Sequence, residues 1–153
     1  MSDVTLRNCT AEDLPALADL DEVVFGPECY NRIVFRQLQE ICGGLLRVAV
    51  VDNGQIAGYS VGSLRTGTRD AWVLSVAVLP AFRQRGIARR LTLDLISRLA
   101  TLGTEHVWLT VAPDNASARR LYVSLGFTVA GLEPDYFGPG QAREVMRLTL
   151  PRA

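Results

Sequence analysis

Apolar positions along this chain change their period several times, and each change marks an element. Residues 4–8 read as a short strand. Thr10-Ala-Glu-Asp13 follows, where either Thr10 or Asp13 can cap a helix carrying Leu14, Leu17, Leu20 and Val24 on one stripe. Gly26-Pro27 stops that helix, and a second helical stretch over about 30–41 stops at Gly43-Gly44. Leu45–Val51 and Gln55–Leu64 are β-rich. Asp52-Asn53-Gly54 between them supplies the positive φ of a tight turn, which predicts an antiparallel hairpin. Ala71–Leu79 is apolar almost throughout, the pattern of a central strand buried on both faces.

The period returns to helical over 86–102, with Ile87, Leu91, Leu95, Leu99 and Leu102 down one stripe and Gly103 at the C-terminal position. Glu105–Val111 is another strand. Because the helix before it is a crossover, it should lie parallel to the strand ending at Leu79 in a right-handed βαβ unit. Pro113-Asp114-Asn115 opens a shorter helix with Ala118, Leu121, Tyr122 and Leu125 on one face, closed by Gly126. Phe127–Ala130 and Val145–Leu150 complete the sheet. The connection between them, 133–140, holds Tyr136 and Phe137 and is too aromatic to be mere spacer. No repeat, linker or low-complexity tract interrupts the pattern, so residues 1–153 read as one α/β domain.

Bulk composition narrows the function classes. At 153 residues and 48% hydrophobic the chain can bury a real core. Sixteen basic residues balance sixteen acidic ones, which argues against the extended basic face of a nucleic-acid binder. Cys9, Cys29 and Cys42 are odd in number and lack Cys-x-x-Cys spacing, which argues against a disulfide framework and against a zinc site. No metal is expected. No window approaches the roughly 18 apolar residues of a membrane span, and the first residues lack a signal-peptide core, so a soluble cytoplasmic protein is the expectation.

Chemistry concentrates where the apolar run Val76-Ala-Val78-Leu-Pro80 meets Ala81-Phe-Arg83-Gln84-Arg85-Gly86-Ile87-Ala88-Arg89-Arg90. A helix N-terminus leaves its first N–H groups unpaired and carries partial positive charge, so an anion placed there gains hydrogen bonds and a favourable dipole. Gly86 permits close approach, Ala88 keeps the first turn slim, and Arg83, Arg85, Arg89 and Arg90 add positive potential. The plainer alternative is a helix start with solvated arginines. Downstream, Asn115 and Tyr122 are spaced to point the same way on a helix, about 10 Å apart along its axis. They can touch a ligand running from the basic turn, or Asn115 can cap the helix and Tyr122 can be a core aromatic.

The strand 71–79, the Arg83-x-x-Gly86-x-Ala88 turn and Leu109-Thr-Val-Ala-Pro-Asp-Asn115-Ala-Ser-Ala-Arg-Arg-Leu-Tyr122-Val-Ser-Leu-Gly126-Phe127 together resemble the GNAT superfamily of N-acetyltransferases. Element order agrees along the whole chain, most sharply over 74–127. The resemblance implies a mixed, mostly antiparallel sheet of six to seven strands with about four helices, and a parallel strand pair splayed at the acetyl-CoA site. It implies that Arg83, Gln84, Arg85, Gly86, Ile87 and Ala88 bind the pyrophosphate of acetyl-CoA, that the main chain at Val76 and Val78 holds the pantetheine and acetyl groups, that Asn115 contacts the pantetheine arm, and that Tyr122 protonates the departing thiolate. That division of labour suits direct attack of an amine on a thioester, where a strand N–H stabilises the oxyanion and a phenol supplies the proton.

The tail 132–148 is similar to enzymes that acetylate protein N-termini, including the ribosomal-protein-alanine acetyltransferases. By that resemblance Tyr136 and Phe137 clasp a peptide backbone and Tyr30 closes the other wall. Those enzymes often carry Glu or His where this chain has Thr110, and a threonine cannot take a proton at neutral pH. A water held near Thr110, Glu144 from the last strand, or an amine arriving neutral remain as alternatives. His106 is expected to be structural. The expected partners are acetyl-CoA and a peptide or protein N-terminus. The alternatives are a small amine such as a polyamine, amino acid or aminoglycoside, or a non-catalytic acetyl-CoA sensor. Neither nucleic acid nor membrane is expected, and the assembly is a monomer or homodimer.

Overall fold

The computed structural model describes residues 3–152. The chain divides into two compact units. The first holds the described residues through Ser63 together with Leu74–Arg98, and the second holds Leu64–Val73 and the described residues from Leu99 onward. The described residues form seven strands and four α-helices, and the strands lie in the order β1-β2-β3-β4-β5-β7-β6.

In the first unit, β1 (Val4–Asn8) pairs antiparallel with β2 (Leu46–Val51), which pairs antiparallel with β3 (Ile56–Leu64). The β2–β3 turn is built as the sequence predicts. Gly54 takes φ 86°, its N–H bonds the Val51 carbonyl at 2.9 Å, and Asn53 Oδ1 accepts the Gln55 N–H at 2.9 Å. A single 3-10 turn over Ala11–Asp13 precedes α1 (Leu14–Phe25), and Asp13 rather than Thr10 supplies the accepting carboxylate, taking the Thr10 N–H at 2.7 Å. Arg7 grips the same carboxylate at 2.7 Å and holds Asp13 below its ordinary pKa. Then α2 (Arg32–Cys42) starts on Asn31, whose side chain accepts the Val34 N–H at 3.0 Å.

The next strand, β4 (Asp70–Val78), is less buried than its apolar run predicts: Ala71, Val73, Ala77 and Val78 are buried, but Leu74 is 40% exposed and Ser75 and Val76 are half-buried. An apolar run does not by itself fill the face beside it. After β4 comes α3 (Ile87–Thr101), whose Ile87, Leu91, Leu95 and Leu99 are buried as expected. Leu102 departs from the expected stripe. It lies past the last helical residue, where the turn into Gly103 at φ 83° takes it off the helical spacing, and it is 54% exposed. Buried Arg47 on β2 ties α3 down by pairing with Asp94 at 3.0 Å while donating to Asn8 Oδ1 at 2.8 Å.

In the second unit, the first part of β4 pairs parallel with β5 (His106–Val111) through Asp70↔His106, Ala71↔Val107 and Trp72↔Trp108. These three pairs are the parallel ladder, so Val76 and Val78 lie beyond it. Next, α4 (Ala116–Ser124) leads into β6 (Thr128–Glu133), and β7 (Arg143–Thr149) returns antiparallel between β5 and β6. Strict alternation on β5 sorts its two faces. Val107, Leu109 and Val111 are buried, while His106, Trp108 and Thr110 are half-buried on the other side. Among the described residues no helix is long and apolar enough to cross a membrane.

Candidate active site

The first unit carries the basic turn. After Val78, a 3-10 turn over Pro80–Phe82 redirects the chain, and α3 begins five residues later at Ile87. Gln84 adopts φ 64° and Gly86 φ 75°. Left-handed residues in a tight turn let neighbouring N–H groups converge on an anion, and a non-glycine residue in that region is strained. The N–H groups of Gln84, Gly86, Ile87 and Ala88 have no main-chain acceptor among the described residues, and the first helical bond runs from Arg90 N–H to the Gly86 carbonyl at 3.0 Å. Residues 83–86 are exposed, Ile87 is buried and Ala88 is half-buried. Arg83 turns its Nε back to the Val78 carbonyl at 3.3 Å, and the Arg85 guanidinium lies 5.3 Å from the centre of the Phe82 ring. Both contacts shape the turn while the residues keep their charge at the surface.

Val76 and Val78 send their side chains into a cluster with Ala49, Val51, Ala57, Ile87 and Leu91. They can therefore offer a ligand main-chain groups only. Tyr30 stands in the loop between α1 and α2, half-buried, with its ring edge-on to Phe35 at 5.8 Å and its N–H bonded to Asp21 Oδ2 at 2.7 Å.

The second unit carries Asn115, Thr110, Tyr122, Tyr136 and Glu144. Asn115 caps α4, its Oδ1 accepting the Ala118 N–H at 3.2 Å, so the plainer reading of this residue is observed; the amide nitrogen remains as a donor at an exposed position. Tyr122 is buried, 8% exposed, and packs edge-on to Phe127 at 5.8 Å. Its hydroxyl has no hydrogen-bond partner among the described residues, and burial pushes its pKa up to about 12. A phenol in that state keeps its proton at neutral pH.

Thr110 and Glu144 do not come together. Thr110 faces Val145 and Glu144 faces Val111 across the β5–β7 ladder, which places their side chains on opposite sides of the sheet. Glu144 is taken by Arg119 on α4, whose Nε lies 3.2 Å from Oε1 and 3.3 Å from Oε2. On the Thr110 side, Trp72 and Trp108 stack at 6.0 Å and Arg147 lies 5.6 Å over Trp108. His106 is held at the far end of β5, with Nδ1 3.2 Å from Thr149 Oγ1.

The aromatic loop after β6 is internally braced. Asp135 accepts the Gly138 N–H on its carbonyl at 3.1 Å and the Gly140 N–H on Oδ1 at 2.9 Å. Half-buried Tyr136 packs edge-on to exposed Phe137 at 4.8 Å, and Arg143 covers Phe137 at 5.0 Å. Sequence reasoning missed the Arg119–Glu144 pair and the hydrogen-bonded set of buried Asp21 and Tyr59 with half-buried Ser75. The spacing of Asp21, four residues past Leu17 on the apolar stripe of α1, is the signal that would have marked it as buried.

A model of the Acetyltransferase (GNAT) family matches residues 12–127, and the chain belongs to that family. It is 40% identical over 75 residues to the [Ribosomal protein bS18]-alanine N-acetyltransferase of Salmonella typhimurium, a match covering 49% of this chain and 51% of that protein. The chain thus spans about half the length of that curated relative. It is 28% identical over 155 residues to the N-alpha-acetyltransferase of Saccharolobus solfataricus, covering 94% of this chain and 92% of the relative. The crystal structure of the ribosomal-protein-S18-alanine N-acetyltransferase from Escherichia coli superposes with a TM-score of 0.84 at 25% identity, over 99% of this chain and 96% of that one.

Proposed function

We propose that this protein transfers an acetyl group from acetyl-CoA to a primary amine, and that the amine is the N-terminal α-amine of a peptide or protein. The observation that carries the reading is the exposed turn at 83–86 leading into α3, where the N–H groups of Gln84, Gly86, Ile87 and Ala88, without main-chain acceptors among the described residues, stand beside arginines. That donor set matches a diphosphate. Family membership and the names of the relatives support the transfer and the α-amine acceptor.

In this reading Arg83, Gln84, Arg85, Gly86, Ile87 and Ala88 take the pyrophosphate. The main chain at Val76 and Val78 holds the pantetheine arm and polarises the thioester carbonyl, and the Asn115 amide nitrogen donates to the same arm. The acceptor's neutral nitrogen forms a bond to the carbonyl carbon as the carbon–sulfur bond breaks, and the thiolate leaves. Tyr122, protonated and with its hydroxyl free of protein partners among the described residues, gives its proton to the sulfur and recovers one from solvent. The amine's surplus proton goes to water, because Thr110 is no base and Glu144 is held by Arg119. Tyr30 in the first unit and Tyr136 in the second are each assigned to contact the acceptor.

Thiol release from acetyl-CoA, followed across a panel of peptides and small amines, tests the assignment. Peptides should support turnover, and Tyr122→Phe should lower kcat about a hundredfold with acetyl-CoA affinity unchanged. The rate should rise with pH through the α-amine's own pKa of about 8. Small amines preferred over every peptide would reassign the acceptor. Acetyl-CoA binding with no thiol release under any acceptor would make the protein a sensor, the reading that Thr110 favours.

A further inference from the structure

The first unit buries a carboxylate that the proposed reaction does not use. Asp21 projects from α1, is 1% exposed, and its neighbours are donors rather than a cation. Tyr59 O–H on β3 donates to Oδ1 at 2.6 Å, and the Tyr30 N–H donates to Oδ2 at 2.7 Å. Tyr59 Oη also lies 2.9 Å from Ser75 Oγ on β4. A phenol has one proton, and the shorter contact to Asp21 takes it, so the Ser75 hydroxyl must donate to Tyr59. The chain of bonds therefore runs from Ser75 through Tyr59 to Asp21 and on to the main chain of Tyr30. The rings follow the same line, with Phe35 edge-on to Tyr30 at 5.8 Å and to Tyr59 at 5.2 Å.

A carboxylate in this place is costly. Burial raises the Asp21 pKa, and the two donors only partly offset the loss of water. An apolar residue would fill the stripe of α1 with less penalty. What the carboxylate alone can do is accept two donors from two other elements at once. One of them is the loop residue Tyr30, and through Tyr59 the other reaches Ser75, next to Val76.

We infer that Asp21 is a positioning residue for the acceptor: the bond from Tyr30 N–H to a carboxylate held by Tyr59 and Ser75 fixes the Tyr30 ring as a wall of the peptide groove. This rests on the proposed peptide acceptor and adds to it the residue that sets the wall. Asp21 bonds to Tyr59 and to the main chain of Tyr30, and to no residue of the turn at 83–88 among the described residues, so its loss should act chiefly on the acceptor.

Asp21→Asn keeps the volume and one acceptor oxygen but turns an N–H₂ toward one of the two donors. Peptide KM should rise at least tenfold, with kcat at saturating peptide and acetyl-CoA affinity by calorimetry both within twofold of the parent. In a Tyr30→Ala background the same substitution should leave peptide KM within twofold, because the wall it positions is gone. A folded Asp21→Asn protein with unchanged peptide KM overturns the inference, as does a full rise that persists in the Tyr30→Ala background or an equal loss of acetyl-CoA affinity. Should Asp21→Asn fail to fold, Ser75→Ala removes only the outer link; it should raise peptide KM two- to fivefold, and no rise overturns the inference. A parent protein that turns over small amines and no peptide would instead sink the acceptor assignment, which separates the two failures.

Discussion

Tyr122 combines two properties that pull in the same direction. It is a core aromatic packed on Phe127, and its hydroxyl meets no protein acceptor among the described residues. Burial of the ring among apolar neighbours penalises the charged phenolate, so the group resists ionisation. The consequence can be measured without substrate. Below pH 10 the phenol is protonated in folded and unfolded chains alike. Between its ordinary value of 10.0 and its folded value of about 12 the unfolded chain loses the proton while the folded one keeps it, so stability falls as pH rises. The loss should reach about 2–3 kcal/mol across that window, read as the difference between parent and Tyr122→Phe in denaturation series at stepped pH. At the same scale, Asn115 and Tyr122 were legible as a helix cap and a core aromatic because helical spacing is local. The pairing of Glu144 with Arg119 was not, since those residues meet only after β7 has returned beside β5.

At the scale of elements, β4 lies next to β3 and β5 in the strand order. Its far half packs so closely on β3 that a β-carbon added at Gly58 would sit 2.6 Å from the Ala77 carbonyl oxygen and 3.2 Å from Val78 Cγ2. A main-chain oxygen cannot rotate away as a side chain would. Gly58→Ala should therefore shift β4 and cost about 1–3 kcal/mol, seen as a lower denaturation midpoint at unchanged slope. If Val76 and Val78 serve the thioester, acetyl-CoA affinity should fall with it. The hairpin at Asp52-Asn53-Gly54 and the buried stripe of α3 were readable from the chain because turn chemistry and helical period act within a few residues. The exposure of Leu74 and Leu102 was not readable. Whether an apolar side chain is covered depends on what lies over it, and no local period records that.

Across the whole molecule the charges cancel, sixteen against sixteen, so there is little general field to draw in an anion. On the proposed reading, affinity for a diphosphate comes from the local basic turn, where Arg83 and Arg85 are exposed and therefore screened by salt. Acetyl-CoA binding should weaken about five- to tenfold between 0.05 and 0.5 M salt, measured by titration calorimetry, and neutralising both arginines should flatten that dependence. The kinds and order of the elements, the hairpin, the basic turn at the head of α3 and the capped helix carrying Tyr122 were determined by the sequence alone. Period, turn residues and helix-end chemistry are all expressed over short stretches of chain. The tertiary structure decided that β7 inserts between β5 and β6, that Thr110 and Glu144 fall on opposite faces, and that Asp21 is buried against Tyr59, Ser75 and the main chain of Tyr30. Each of those results from pairing between residues far apart along the chain, where register and burial are settled by contacts that no local pattern encodes.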